Sequence, residues 1–248
     1  MTLQRPVATR CRHALVNWLR PRGKLAFLAS LPPAASVLDV GCGNNSPRDA
    51  KILRPDLDYT GLDVEDYNQR DSLHYADTYI LASSADFADA IAAHAGRMDA
   101  VLSSHNLEHC DDPAAVLKAM AAALRPGGHL FLAFPCEESV RFPKRRGTLN
   151  FFDDSTHRSV PAAGAVLDSL RECGFTVVYA CRRYRPGLLA SLGLVLEPLG
   201  WLLGRNMPAG ATWALYGFES VIWARRSGAA TGTRATPPVP VPATRMDG

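Results

Sequence analysis

Two glycines that follow a short apolar run have the types and spacing that point most directly to ligand binding. Gly41 and Gly43 come after residues 36–40, a run that predicts a buried strand. Glycine permits tight turn geometry and lets a ligand approach the backbone closely. A dinucleotide fingerprint would need a third glycine near position 46, where this chain has Ser46. Asp39 precedes Gly41 by two residues, so its carboxylate could instead hold an ammonium group, directly or through water.

Acidic and aromatic residues follow the next two predicted strands. Asp63 ends the second strand, 20 residues after Gly43, where a carboxylate can accept hydrogen bonds from both hydroxyls of a ribose. The alternative for Asp63 is a solvated residue that caps a turn. Asp86 and Phe87 follow the third strand. Asp86 could accept from the exocyclic amine of adenine or cap the next helix, and Phe87 could pack near the ring.

The elements that must position these residues alternate between strand and helix. This order predicts an α/β fold in which a mostly parallel sheet is covered by helices on both faces. Helices are expected at 84–95, 113–124 and 161–173. Strands are expected at 36–40, 58–63, 79–82, 98–103, 129–134, 175–182 and 216–224.

The alternating pattern also suggests how the chain is organised. Residues 1–33 are expected to form an N-terminal helical segment, which Pro32 and Pro33 close. Residues 34–226 form the main domain, in which 186–212 interrupt the pattern as an insertion between the last two strands. Residues 227–248 are rich in Pro, Ala, Thr and Gly, which predicts a disordered tail.

Charge and cysteine usage narrow the function classes. The chain has 27 Lys and Arg against 24 Asp and Glu, and this net charge of +3 does not indicate nucleic acid as a partner. Its six cysteines include no CxxC pair, so neither a zinc site nor a thioredoxin motif is expected. The N-terminus shows no apolar core of a signal peptide. These features predict free thiols in a soluble cytoplasmic protein.

Several motifs in their order along the chain resemble class I, Rossmann-like S-adenosylmethionine-dependent methyltransferases. The resemblance covers about residues 35–225, and the chain departs from it at Asn45, where many members have a third glycine. It implies a seven-stranded sheet whose last strand, residues 217–223, is antiparallel. The motifs that carry the resemblance are residues 38–43, 60–63, 98–109, 124–130 and 174–175.

The resemblance also implies where S-adenosylmethionine binds. The cofactor would lie across the carboxyl ends of the first strands, where open α/β sheets bind ligands. Ser103 and Ser104, together with His105, would sit beside its methyl group after the fourth strand. The residues expected to hold the rest of the cofactor are Asp39, Gly41, Gly43, Asp63, Asp86 and Phe87.

Three histidines are candidates for the general base that an acceptor hydroxyl needs. His157 lies in an Asp-Asp-Ser-Thr-His segment that resembles a substrate-side loop of the family, and it is the preferred base. His105 follows the fourth strand and should face the cleft. His109 could take part in chemistry or order its loop. Asp153, Asp154 and His157 could bind a divalent cation, but their spacing has no special specificity, so no metal is expected.

An apolar segment at 188–204 lies between the sixth and seventh predicted strands. Its length is near the lower limit for a membrane span, and Glu197-Pro198 interrupts it. A helical cap that walls the substrate pocket is therefore expected. The alternative is a face that dips into a membrane and suits a lipid-linked acceptor. Flanking arginines could then meet lipid headgroups, namely Arg182, Arg183, Arg185 and Arg205.

The sequence thus predicts methyl transfer from S-adenosylmethionine to a hydroxyl of a small molecule, with a saccharide or lipid-linked saccharide as first choice. That choice follows from the resemblance of the Asp-Asp-Ser-Thr-His loop to methyltransferases of surface-glycan pathways. One alternative is a non-catalytic cofactor-binding protein that serves partner interaction. Another is a nicotinamide-dependent oxidoreductase, against which the missing third glycine and the Asn-Leu-Glu-His segment argue.

Overall fold

A computed structural model describes residues 15–43, 45–65 and 75–228. The predicted disordered tail falls outside the described residues from position 229 onward, as does the beginning of the N-terminal helical segment. Within the described part, residues 15–19 are helical, and all five cysteines are free thiols.

A seven-stranded sheet forms the centre of the domain, as the sequence predicts. The strands lie in the order β3-β2-β1-β4-β5-β7-β6, and only β7 runs antiparallel to its neighbours. Their bounds are β1 Ser36–Val40, β2 Asp58–Asp63, β3 Thr78–Leu81, β4 Met98–Ser104, β5 Leu124–Pro135, β6 Phe175–Cys181 and β7 Glu219–Arg226.

Side chains that alternate along the central strands build a core on each face of the sheet. On β1, Val37 packs into one core, whereas Leu38 and Val40 pack into the other. Both faces are apolar because parallel strands are covered on both sides. Helices α1 (Lys24–Ser30) and α2 (Ser46–Leu53) cover the Val37 face. The opposite face is covered by α3 (Phe87–Ala92), α4 (Pro113–Ala123) and α5 (Ala163–Glu172).

The insertion between β6 and β7 is helical, as expected. It consists of α6 (Gly187–Leu203) and α7 (Ala211–Tyr216). The two helices touch closely at Gly193, where a Cβ would lie 2.2 Å from the carbonyl oxygen of Ala211. Among the described residues, no helix has the length and apolar character needed to cross a bilayer.

A largely buried ion pair between Arg145 and Glu197 connects α6 to the rest of the domain. Both terminal nitrogens of Arg145 donate to the carboxylate of Glu197, at 3.1 and 2.7 Å. The Tyr216 hydroxyl donates to the same carboxylate at 2.6 Å. Glu197 therefore points into the protein, so the one acidic residue of the apolar segment does not interrupt the outer face of α6.

The start of the last strand differs from the sequence prediction. Residues 216–218 were expected to be extended, but Tyr216 ends α7 and Gly217 adopts φ +63°, a left-handed conformation that terminates the helix. The strand begins at Glu219. The helix 84–95 is likewise shorter than expected, because residues 84–86 form a turn before α3 and residues 93–97 form turns after it.

Candidate active site

A cavity of about 1180 Å³ opens at the carboxyl ends of β1, β2, β3 and β4. Its walls come from the loops that follow these strands, from the first turns of α3 and α4, and from the segment before α5. Of the predicted site residues, the cavity is lined by Gly41, Gly43, Asp63, Phe87, His105 and His109. None of the lining residues comes from 186–212, so the expected pocket-walling role of the insertion is not met in this cavity.

Gly41 and Gly43 both have positive φ angles, but the space beside their backbones differs. Gly41 has φ +70°, and a Cβ there would lie 2.5 Å from the side chain of Asn106. Gly43 has φ +57°, and a Cβ there would meet no atom within 4 Å. Gly41 is thus required by the close approach of Asn106, whereas Gly43 leaves open space beside the backbone for a ligand.

Asp63 closes the glycine turn from the end of β2. Its Oδ2 accepts from the backbone N–H of Gly43 and its Oδ1 from that of Val64, each at 2.7 Å. Burial raises the pKa of the Asp63 carboxyl, while these two hydrogen bonds act in the opposite direction. The backbone N–H of Glu65 also donates to this carboxylate. A carboxylate has about four acceptor sites, so the group can still accept a hydrogen bond from a ligand.

Asp39 is buried behind the glycine turn and does not line the cavity. Its Oδ2 accepts from the hydroxyls of Ser46 and Tyr59. Its Oδ1 is buried and has no hydrogen-bond partner among the described residues. The geometry therefore does not favour direct contact of Asp39 with a ligand ammonium, and it leaves the indirect contact that the sequence also suggested.

The wall beyond β3 holds Phe87 but not Asp86. The side chain of Asp86 accepts from the Ser83 hydroxyl at 2.6 Å and makes no capping hydrogen bond to α3. Of the two roles that the sequence left open for Asp86, the structure therefore does not show the cap, and Asp86 does not line the cavity either. Phe87 is buried and lines the cavity, in a position suited to an adenine ring.

The end of β4 presents different residues from those expected. Ser103 is buried with an unpartnered hydroxyl, and neither Ser103 nor Ser104 lines the cavity. The wall is formed by His105 and Asn106, one or two residues further along. His105 has φ +56°, a conformation that is strained for a residue other than glycine.

His105 is held between two buried carboxylates. Its Nδ1 lies 3.2 Å from Oε1 of Glu108, and its Nε2 lies 3.0 Å from Oε1 of Glu219. Burial alone would lower the pKa of His105, but the two carboxylates outweigh burial and raise it to about 9. The ring is charged at neutral pH with both N–H groups engaged, so the structure argues against His105 as the base.

Glu219 also contacts Arg20, so that Glu108, His105, Glu219 and Arg20 form one network of charged side chains. The Arg20 guanidinium donates to Oε2 of Glu219, and the positive charges of Arg20 and His105 lower the pKa of Glu219 to about 2 although burial raises it. His105 also stacks on Phe218 and contacts Trp213 of α7. The network therefore connects the cavity wall to the N-terminal segment and to the insertion.

The lowered pKa of Glu219 predicts a specific loss of stability in acid. A carboxyl with a folded pKa of about 2 and an ordinary value of 4.5 stabilises the fold above pH 4.5, and this contribution is lost as pH falls towards 2. By pH 3 the loss is about 2 kcal/mol. We expect the free energy of unfolding in urea to fall by this much more between pH 6 and 3 than in Glu219→Gln. Parallel pH profiles for the two proteins would contradict the shifted pKa.

His109 and His157 come together from different loops. Their ring centroids are 4.8 Å apart, and His157 also packs 4.5 Å from Phe151. Nδ1 of His109 lies 3.0 Å from the Thr156 hydroxyl, and Nδ1 of His157 lies 2.6 Å from the carbonyl oxygen of Phe151. His109 lines the cavity, whereas the His157 side chain is only 4% exposed behind it.

Several residues of this site were not identified from the sequence. Glu108 lies in the Asn-Leu-Glu-His segment, and its position between the two candidate histidines His105 and His109 was an available signal. Glu219 is an acid in an otherwise apolar predicted strand, which is also unusual. Asn106 belongs to the same segment as Glu108 and lines the cavity, and Arg158 lines it without a distinct local signal.

A comparison with protein families matches residues 12–180 to a methyltransferase domain. The chain belongs to this methyltransferase family. The ubiquinone biosynthesis O-methyltransferase of Ralstonia nicotianae is similar, with 34% identity over 119 residues that cover 44% of this chain and 48% of that protein. The methyltransferase chain thus spans about half the length of the curated relatives it matches.

Solved structures show the same fold. An S-adenosylmethionine-dependent methyltransferase from Mesorhizobium loti has a TM-score of 0.56 and 20% identity, over 85% of this chain and 98% of that one. One from Archaeoglobus fulgidus has a TM-score of 0.51 and 14% identity, over 88% and 94% of the two chains. The fold predicted from the sequence is confirmed.

The residues of this methyltransferase fit S-adenosylmethionine as the cofactor. The open backbone at Gly43 and the remaining acceptor capacity of Asp63 offer polar contacts to a bound molecule, and both residues line the cavity. Phe87 offers an apolar surface. The family also argues against the nicotinamide-dependent oxidoreductase considered from the sequence.

Proposed function

We propose that the protein transfers a methyl group from S-adenosylmethionine to a hydroxyl of a small-molecule acceptor. The observation that carries this proposal is one cavity with two chemically different walls. The glycine turn and Asp63 form one wall, and His109, Thr156 and Arg158 form part of the other. The first suits the cofactor, and the second suits an acceptor that must lose a proton.

The cofactor supplies a methyl group that is already electrophilic on its sulfonium centre. The protein therefore has to align acceptor and donor with the reacting atoms about 3–3.5 Å apart. We propose that Asp63 binds the ribose hydroxyls and that the turn at Gly43 receives the amino-acid part. Phe87 packs against the adenine, and these contacts fix the donor end of the cavity.

The acceptor end needs a group that takes the hydroxyl proton. The Thr156 hydroxyl donates to Asp154 at 2.5 Å, so it accepts from Nδ1 of His109 and leaves a lone pair on Nε2 of that ring. We propose His109, which lines the cavity, as this group, instead of the buried His157. The ubiquinone biosynthesis O-methyltransferases among its relatives support transfer to oxygen.

The test is a screen of cell extract with methyl-labelled S-adenosylmethionine, with the labelled product identified by mass. We expect the wild type to label a hydroxylated small molecule and His109→Gln to label at least about tenfold less, since general-base catalysis typically contributes about 100-fold or more. The matched control is His94→Gln, a histidine outside the cavity. Cofactor binding without any labelled product would support a non-catalytic binding protein.

We also propose that the acceptor is lipid-linked, with a saccharide as its expected headgroup, and that α6 meets the membrane. Leu188, Leu192, Val195, Leu199 and Leu202 recur at helical spacing, and all are exposed, Val195 to 76% and Leu202 to 82%. A different side of α6 is buried at Leu189, Gly193 and Gly200. Such a stripe suits a helix that lies in a membrane interface.

Basic residues next to α6 support an anionic membrane as the partner of this stripe. Arg182 and Arg185 precede the helix and Arg205 follows it, and all three are exposed. Each basic residue near an anionic bilayer contributes about 1 kcal/mol of attraction. Apolar side chains and arginines together match the acyl boundary and the headgroups of such a bilayer.

Co-sedimentation with vesicles of equal parts phosphatidylcholine and phosphatidylglycerol tests the stripe. Replacing Val195 and Leu202 by serine should weaken vesicle partitioning by about tenfold or more, because two apolar side chains no longer enter the bilayer. Val178→Ser is the matched control, as Val178 is exposed on β6. Equal sedimentation of all proteins would overturn the membrane contact. Self-association in lipid-free solution that the double variant abolishes would instead assign the stripe to a second copy.

A further inference from the structure

Three potential metal ligands converge at the acceptor end of the cavity. Glu108 and His109 lie in the turn after β4, and His157 lies in the loop before α5. One ligand atom from each residue lies within 4.8 Å of the others. Ligand atoms at about 2.1 Å from an ion are at most about 4.2 Å apart, so small side-chain rotations close the set.

Hydrogen bonds fix both imidazoles in the tautomer that a metal requires. The carbonyl of Phe151 can only accept, so Nδ1 of His157 carries the proton and its Nε2 has a free lone pair. Thr156 gives its proton to Asp154 and therefore accepts from Nδ1 of His109. This arrangement matches metal-binding histidines, whose second nitrogen donates to a carbonyl or another oxygen.

The buried carboxylate of Glu108 independently indicates that a cation binds here. It is 0% exposed, and its Oε1 is engaged with His105. Its Oε2 is buried and has no hydrogen-bond partner among the described residues. A buried carboxylate oxygen without a partner is unfavourable, and a cation would satisfy it.

We propose that Glu108, His109 and His157 bind a divalent transition-metal ion such as Zn²⁺. Two imidazoles and one carboxylate suit such ions better than Mg²⁺ or Ca²⁺, which prefer oxygen ligands. Three protein ligands leave a position open. Since His109 lines the cavity, that position is available to the acceptor hydroxyl.

This site differs from the cation site considered in the sequence, which consisted of Asp153, Asp154 and His157 and was not expected to bind a metal. Asp153 accepts from the backbone N–H groups of Arg145, Leu149 and Asn150, so it orders a turn. Asp154 holds Thr156. The buried ligand is instead Glu108, 49 residues before His157 in the chain.

The inference rests on the proposed function and deepens it. A bound cation would occupy the His109 lone pair, so in the metal-bound protein His109 would be a ligand and not the base. The cation would take over that role by lowering the pKa of the acceptor hydroxyl, and the proton would leave to water. The O–H bond breaks, the alkoxide oxygen forms a bond to the methyl carbon, and the S–CH3 bond breaks. The electron pair of that bond stays on sulfur, which becomes a neutral thioether.

Metal binding to the full chain is the test, after chelator treatment and removal of the chelator. Titration with Co²⁺ as a spectroscopic probe, and with Zn²⁺ by calorimetry, should give one ion per chain. Glu108→Gln and His157→Gln should each weaken binding by at least about tenfold. His94→Gln should bind like the wild type, and circular dichroism checks that each variant is folded.

The results separate this inference from the proposed function. No ion bound by the wild type, or equal affinity in the folded Glu108→Gln and His157→Gln variants, would overturn the metal site. Full methyl transfer by the metal-free protein would also overturn it, while it would support the methyltransferase proposal. Metal binding that persists when S-adenosylmethionine does not bind would contradict the proposed function alone.

Discussion

Replacing Asp63 by alanine is expected to weaken binding of S-adenosylmethionine by about 100-fold, or about 3 kcal/mol. The carboxylate would accept hydrogen bonds from the ribose, and it also holds the backbone N–H of Gly43 in the turn that receives the ligand. Its removal eliminates both contributions. Isothermal titration calorimetry with S-adenosylmethionine measures the change directly.

Two further variants show whether the loss of affinity comes from the hydrogen bonds of Asp63. Asp89→Asn removes one carboxylate charge from the exposed surface of α3 and should leave the affinity unchanged. Asp63→Asn keeps one carbonyl acceptor and should fall between the wild type and Asp63→Ala. If Asp63→Ala binds the cofactor as tightly as the wild type, the ribose does not lie against this carboxylate.

Replacing Glu219 by alanine is expected to lower the free energy of unfolding by about 3 kcal/mol near pH 7. The substitution removes the buried carboxylate between His105 and Arg20. Both cationic groups then face a site from which their counter-charge is missing. Urea unfolding followed by circular dichroism gives the difference.

Glu172→Ala is the matched control, because Glu172 lies exposed at the end of α5. Its effect should stay within about 0.5 kcal/mol. Glu219→Gln keeps an acceptor for His105 and should be destabilised less than Glu219→Ala. A loss in Glu219→Ala no larger than in the control would show that the network does not stabilise the fold.

The fold was predictable where local signals were strong. The bounds of β1 and β2 match the prediction, because each is an apolar run that ends at a glycine turn or an acidic residue. The start of β7 was not predictable in the same way. Tyr216 has a high strand propensity, but it ends α7 by packing on Phe142 and bonding to Glu197, contacts that local sequence does not encode.

The site was predictable only in its local part. Gly41, Gly43 and Asp63 follow from a strand, a turn and a spacing, and all three line the cavity. The network of Arg20, His105 and Glu219 joins residues up to 199 positions apart, a separation that no local pattern spans. The tautomers of His109 and His157 likewise depend on contacts made across loops.

The position of the cofactor is the central claim, and a crystal structure with S-adenosylhomocysteine tests it most directly. We expect the ribose hydroxyls to lie within hydrogen-bonding distance of the Asp63 carboxylate, the amino-acid part beside Gly43 and the adenine against Phe87. Density for the ligand in another part of the molecule, or a cavity that stays without it at saturating concentration, would contradict this position of the cofactor.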